Sequence, residues 1–256
     1  MRRIILRVLI VCSISWLSVS CITTGSTAWQ ARVDGMAAQH QDLKFPQYLA
    51  NKDAARQGTE FDVSRYFSVL THLSMQPGYE LDYIYHYDGM GGYPILYARP
   101  ADQAPYTTEA DFTQAMKQAG IEKANEQYIP YLQIEDTAEG YFDYVVFKLM
   151  AAQFYLYWHA DYNDKQFVCD GAALEALLKQ KRMGYAIPIT ASLQARLLKL
   201  EPVVKLETET VTVQVITFSN WKGFVQETWT INRRVPHNIV SVDNKVLIPY
   251  NCGIMF

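Results

Sequence analysis

Residues 210–232 read TVTVQVITFSNWKGFVQETWTIN. Val211, Val213 and Val215 alternate with threonines and Gln214, and Val225, Trp229 and Ile231 resume the pattern after the turn Asn220-Trp221-Lys222-Gly223. Side chains of a strand point alternately to opposite faces, so this period of two marks an antiparallel pair with one face on a core and one in solvent. Residues 239–242 and 246–250 read as a second pair turning at Asp243-Asn244. Everything after Glu201-Pro202 is therefore expected to form an antiparallel β-meander.

Upstream the period lengthens. Residues 29–40 read as a short helix with Trp29 either in it or at a bilayer interface. Asp62 is placed to cap a helix carrying Val63, Tyr66, Phe67, Leu70 and Leu73 on one face, ended by Pro77-Gly78. Thr107 or Thr108 caps another that stops at Gly120. Asp136 or Thr137 starts a third, and Asp170 and Thr190 cap 171–182 and 191–200. Among these helices, residues 80–99 form a hairpin: Tyr83, Tyr85 and Tyr87 alternate with Ile84 and His86, turn at Asp88-Gly89-Met90-Gly91-Gly92, and return through Tyr93, Ile95 and Tyr97. The expected class is α+β, a helix-rich N-terminal two-thirds with an early β-hairpin, packed on a C-terminal antiparallel β-meander. Residues 141–158 are apolar nearly all round, with only Asp143, Lys148 and Gln153 polar. Steps of five residues cannot place those three on one stripe, so a central buried helix is expected. Insertion into lipid is the competing reading, and a charged pair makes it costly.

The chain opens MRRIILRVLIVCSISWLSVSC. Arg2, Arg3 and Arg7 precede an apolar stretch at 8–19 that stops at Ser20-Cys21, a layout that resembles a bacterial lipoprotein signal peptide. Val19 and Ser20 fit the lipobox of that family, while Ser18 stands where leucine is usual and Leu17 lies one place early. The resemblance covers this segment alone. It implies a signal peptide at 1–20, acylation of Cys21, a polar tether to residue 28 and an exported domain at 29–256. That domain would lie on the extracytoplasmic face of the outer or the cytoplasmic membrane of a bacterium. An apolar run of about 12 residues is short of the roughly 20 that a spanning helix needs. The Arg2-Arg3 pair also has the outline of a twin-arginine signal, which leaves the compartment unchanged.

The whole chain holds 23 basic and 26 acidic residues, and the leader removes three arginines, leaving 20 against 26 and a net charge of −6. No Lys/Arg cluster stands out from this balance. A nucleic-acid partner is therefore not expected, and membrane attachment is assigned to N-terminal acyl chains. Cys12 leaves with the signal and Cys21 takes lipid, so Cys169 and Cys252 remain. In an oxidising compartment the simplest reading of an even pair is a disulfide, closing about 83 residues and worth roughly 4 kcal/mol. The alternative is a free nucleophile with a second buried thiol.

Candidate chemistry is thin. His159, Asp161 and Asp164 offer nitrogen and oxygen donors suited to a divalent metal, although a histidine in a last helical turn followed by a polar turn explains them equally. Cys169 with His159, or Cys252 with His237, could be drawn as thiol–imidazole couples. There is no G-x-S-x-G elbow, and the 88–92 glycines lack the spacing of a phosphate loop. Glu135, Asp136 and Glu139 are explained by a helix start. Eighteen tyrosines favour polar-lined cores and binding surfaces alike. The stripe Tyr83, Tyr85 and Tyr87, joined by Tyr93 and Tyr97, and Trp221 on its hairpin tip are the candidate binding residues.

No cofactor is expected. The expected function is that of a lipid-anchored envelope binding or structural lipoprotein, holding an envelope protein or a small-molecule or carbohydrate ligand. The alternatives are a metal- or thiol-dependent envelope hydrolase at His159, Asp161 and Asp164 or at Cys169, and a protein that inserts 141–158 into membrane.

Overall fold

The computed structural model describes residues 26–160 and 162–254, with side chains from Ala28 onward. The leader, Cys21 and Asp161 lie outside the described residues. Helices and antiparallel sheets are mixed, so the class is α+β. Helix α1 (Ser26–His40) begins inside the stretch read as tether. Trp29 is buried edge-on against Phe142, ring centroids 4.7 Å apart, and so does not rest at a bilayer interface. Asp62 caps as expected, accepting from the Ser64 amide, but the element it starts is a 3-10 turn over Val63–Ser68 rather than a long helix. Leu73 and its neighbours turn instead into strand β1 (Leu73–Met75).

The expected hairpin is present as β2 (Tyr79–Tyr87) and β3 (Gly91–Pro100). Its register pairs Tyr83 with Leu96, Tyr85 with Pro94 and Tyr87 with Gly92. Odd positions of β2 therefore face even positions of β3. Tyr93 and Tyr97 lie on the opposite face from the β2 tyrosines, correcting the single stripe. Tyr97 packs with Ile84 under helix α2 (Glu109–Gln118), which Thr108 caps. Tyr83 and Tyr85 face the main core.

Strand β4 (Leu132–Ile134) pairs with β1 and leads into helix α3 (Ala138–Met150), capped by the Thr137 hydroxyl accepting from the Gly140 amide. Every residue from Tyr141 to Phe147 is buried, as the missing polar face requires. The helix ends at Met150 and not at Trp158. Residues 157 and 158 instead form the short strand β5 (Tyr157–Trp158) against Gly91 and Gly92. Among the described residues no helix is long and apolar enough to cross a membrane.

The C-terminal sheet contains β6 (Gln166–Phe167), β7 (Val203–Leu206), β8 (Thr210–Ser219), β9 (Gly223–Asn232) and β10 (Ile239–Ile248), in the order β10-β9-β8-β6 with β7 also on β8. Here two expectations change. Residues 239–248 make one strand and not a hairpin, because Asp243 and Asn244 are paired with Thr228 and Glu227 along the full length of β9. Nor is one face simply solvated. Val211, Val213, Val215, Trp229 and Ile231 pack on the core around α3. At the other end Ile216, Phe218, Phe224 and Ile248 point the opposite way, into a second cluster under helices α4 (Gly171–Lys179) and α5 (Ile189–Ala195). Asp170 caps α4 by accepting from the Ala173 amide, whereas α5 starts after Pro188 and not at Thr190.

Candidate functional site

Strand β5 is drawn onto the hairpin by two glycines. Trp158 pairs with Gly91 and Tyr157 with Gly92, and the His159 amide donates to the Met90 carbonyl at 3.5 Å. A Cβ on Gly91 would crowd the His159 carbonyl at 2.9 Å, and one on Gly92 would strike the Tyr85 ring. The glycine-rich tip is thus a seat for a third strand and not a floppy loop. Asp88 stiffens it by accepting from the Met90 and Gly91 amides at 2.8 and 2.7 Å, which holds its carboxyl below the usual range.

Above this seat lies an aromatic edge. Phe45 stacks on Tyr157 at 5.0 Å, and Tyr157 meets Tyr87 at 5.9 Å. Tyr85 passes beneath, its hydroxyl donating to the Tyr155 carbonyl at 2.8 Å. Outermost is Trp158, which is 79% exposed and holds φ +47, a conformation that non-glycine residues rarely adopt. Met90 beside it and Tyr162 four residues on are also largely exposed. The edge can present ring faces to a sugar or to a partner's apolar residues.

The residues expected to bind are elsewhere. Tyr83 and Tyr85 are buried and only Tyr87 reaches the edge. Trp221 folds back half-buried, its indole N–H donating to the Ile254 carbonyl at 3.0 Å. Of the expected metal ligands, Asp161 lies outside the described residues, Asp164 accepts from the Ser219 hydroxyl and the Asn220 amide, and His159 is exposed beside the other sheet. Among the described residues no group of three or more His, Cys, Asp and Glu could hold a metal ion.

Cys169 and Cys252 are free, buried thiols, correcting the disulfide. Cys169 lies in the main core, its amide donating to the Gln30 side-chain Oε1, and Cys252 lies in the second cluster, its amide donating to the Asn220 carbonyl. Burial pushes the Cys169 thiol far above its ordinary value, which removes the thiolate that a nucleophile needs.

One buried ionic cluster escaped sequence reasoning. The Arg32 guanidinium donates to both Asp143 oxygens at 2.9 Å, and Nδ1 of His72 lies 3.1 Å from Asp143. Nδ1 is also 2.8 Å from the Arg32 nitrogen. His72 borders a cavity of about 320 Å³ lined further by Ser74, Glu135 and His237. A larger groove of about 630 Å³ runs between α1 and α4, past Gln30, Asp34, Lys165 and Asp170.

No protein-family model, no curated protein and no solved structure matches the chain.

Proposed function

We propose that this chain is an exported bacterial envelope protein, lipid-anchored at Cys21, which acts by binding through the aromatic edge around Trp158. The observation that carries the binding role is a tryptophan 79% exposed in a left-handed backbone conformation, on a tip stiffened by Asp88. Exposing a large aromatic ring forgoes its burial, holding that backbone costs on the order of 1–3 kcal/mol, and such outliers cluster at functional sites. The occupant that fits is the apolar rim of an envelope protein or the ring face of a glycan. The anchor rests on the leader sequence. A hydrolase at His159 or Cys169 has less support, because Asp164 is engaged by the β8–β9 turn and Cys169 is a buried thiol.

The anchor is tested by metabolic labelling with palmitate, which should be incorporated and should be lost in Cys21→Ser. The edge is tested by placing a photo-crosslinking residue at Met90 in the full-length chain in cells, with Lys117 as an exposed control. Position 90 should give a discrete adduct that control position 117 lacks, and Trp158→Ala should abolish it while leaving thermal stability unchanged. The same adducts from both positions would sink the binding reading.

A further inference from the structure

Helix α5 is packed the wrong way round for a helix that merely covers a sheet. Its small residues Ala191 and Ala195 are buried on the second cluster. Ile189 and Leu193, four residues apart on one face of α5, and Leu197 in the turn that follows point outward. With Met183 and Tyr185 in the preceding loop they are between 57% (Leu193) and 85% (Leu197) exposed. That loop is fixed: the Tyr185 amide donates to the Cys252 carbonyl at 2.8 Å and its own carbonyl accepts from the Tyr250 hydroxyl at 2.5 Å. The apolar surface is therefore displayed on a rigid frame.

Its surroundings are basic. Lys179, Lys181, Arg182, Arg196 and Lys199 fall between Glu175 and Glu201 with no acidic residue among them, in a chain of net charge −3. Two of the five are engaged. Arg182 turns inward over the Phe218 ring and donates to the Leu177 carbonyl, and Arg196 pairs with Glu175 at 2.6 Å. Lys179, Lys181 and Lys199 are exposed.

We propose that this face, residues 179–199, docks onto an anionic lipid bilayer, with Ile189, Leu193 and Leu197 in the interfacial layer and the three lysines among the acidic headgroups. Large exposed apolar side chains in a segment that also exposes lysines suit such a surface, and the positive charge selects anionic over zwitterionic headgroups. Three lysines, each contributing about a factor of five, give roughly a hundredfold preference for the anionic surface. The inference is independent of the aromatic edge and of acylation at Cys21.

The test is hydrogen exchange of the full-length chain reconstituted with vesicles of phosphatidylcholine alone or mixed with phosphatidylglycerol. However the leader holds the chain, amides of 189–198 should exchange about tenfold or more slowly on the anionic vesicles only. The protection should fall with added salt. It should vanish in Leu193→Gln/Leu197→Gln, whose outward side chains leave the fold intact, and weaken when the three lysines become glutamine. Equal exchange on both vesicle types overturns the proposal. So does protection that appears without lipid and grows with protein concentration, which would make this face a contact between two copies of the chain.

Discussion

Asp143 has no exposed surface and sits in the middle of α3, where its charge is met by Arg32 from α1 and His72 from the segment before β1. Burial pushes its carboxyl above the ordinary range even though Arg32 and His72 pull it back. Removing one member of such a pair strands the other without solvent. Arg32→Ala should therefore cost about 3–5 kcal/mol in urea unfolding, whereas the double change Arg32→Met/Asp143→Leu should recover most of it. A second buried group sets the pH response. His40 lies among Phe61, Tyr66 and Phe154, and burial lowers its pKa from 6.5 to about 4. Between those values the unfolded chain binds the proton and the folded chain does not. Stability is thus fully present above pH 6.5 and falls toward pH 4, by up to roughly 3 kcal/mol. His237 is lowered by burial too and acts in the same direction, while Asp143, raised by burial, acts against them at the acid end. Unfolding measured at steps from pH 7 to 4 should show this decline, and His40→Asn should flatten it.

At the scale of elements, close approach of backbones decides outcomes that propensity would reverse. Gly140 lies in the first turn of α3, where exchanging glycine for alanine ordinarily gains up to about 1 kcal/mol. Here the added Cβ would run into the Glu135 carbonyl oxygen, which belongs to the backbone and cannot swing away. Gly140→Ala should consequently lower the melting temperature, and a rise would show that the chain before α3 yields easily. The same physics seats β5 on Gly91 and Gly92. It also explains why a glycine-rich tip with the composition of a flexible hairpin end carries the aromatic edge. Strand β10 makes a related point. Asp243-Asn244 is good turn chemistry, but ten residues of β9 offered an unpaired edge, and the ladder prevailed over the local preference.

For the whole molecule, two cores share one sheet. The main core takes one face of the β8–β9 pair and the second cluster takes the other face at the opposite end. Cys169 and Cys252 belong one to each, which is why they do not bridge. In native buffer neither should react with a maleimide, both should react after denaturation without reductant, and peptide mapping should show no linkage between them. A linked Cys169–Cys252 peptide would refute the two free thiols.

What the chain determined by itself is local. Alternation placed β8 and β9. Hydroxyl and carboxylate caps at Asp62, Thr108, Thr137 and Asp170 marked where turns of helix begin. The lack of a polar face foretold that α3 is buried. These outcomes obey short-range rules in which a residue and its near neighbours set the conformation. Tertiary structure alone decided the sites. The hairpin register sent Tyr93 and Tyr97 away from Tyr83 and Tyr85, and Gly91-Gly92 lifted Trp158 out of an expected helix into solvent. The alanines of α5 went inward onto the second cluster, and this left Ile189, Leu193 and Leu197 outside. Each outcome depends on which distant backbone lies opposite, a quantity that spacing along the chain does not contain.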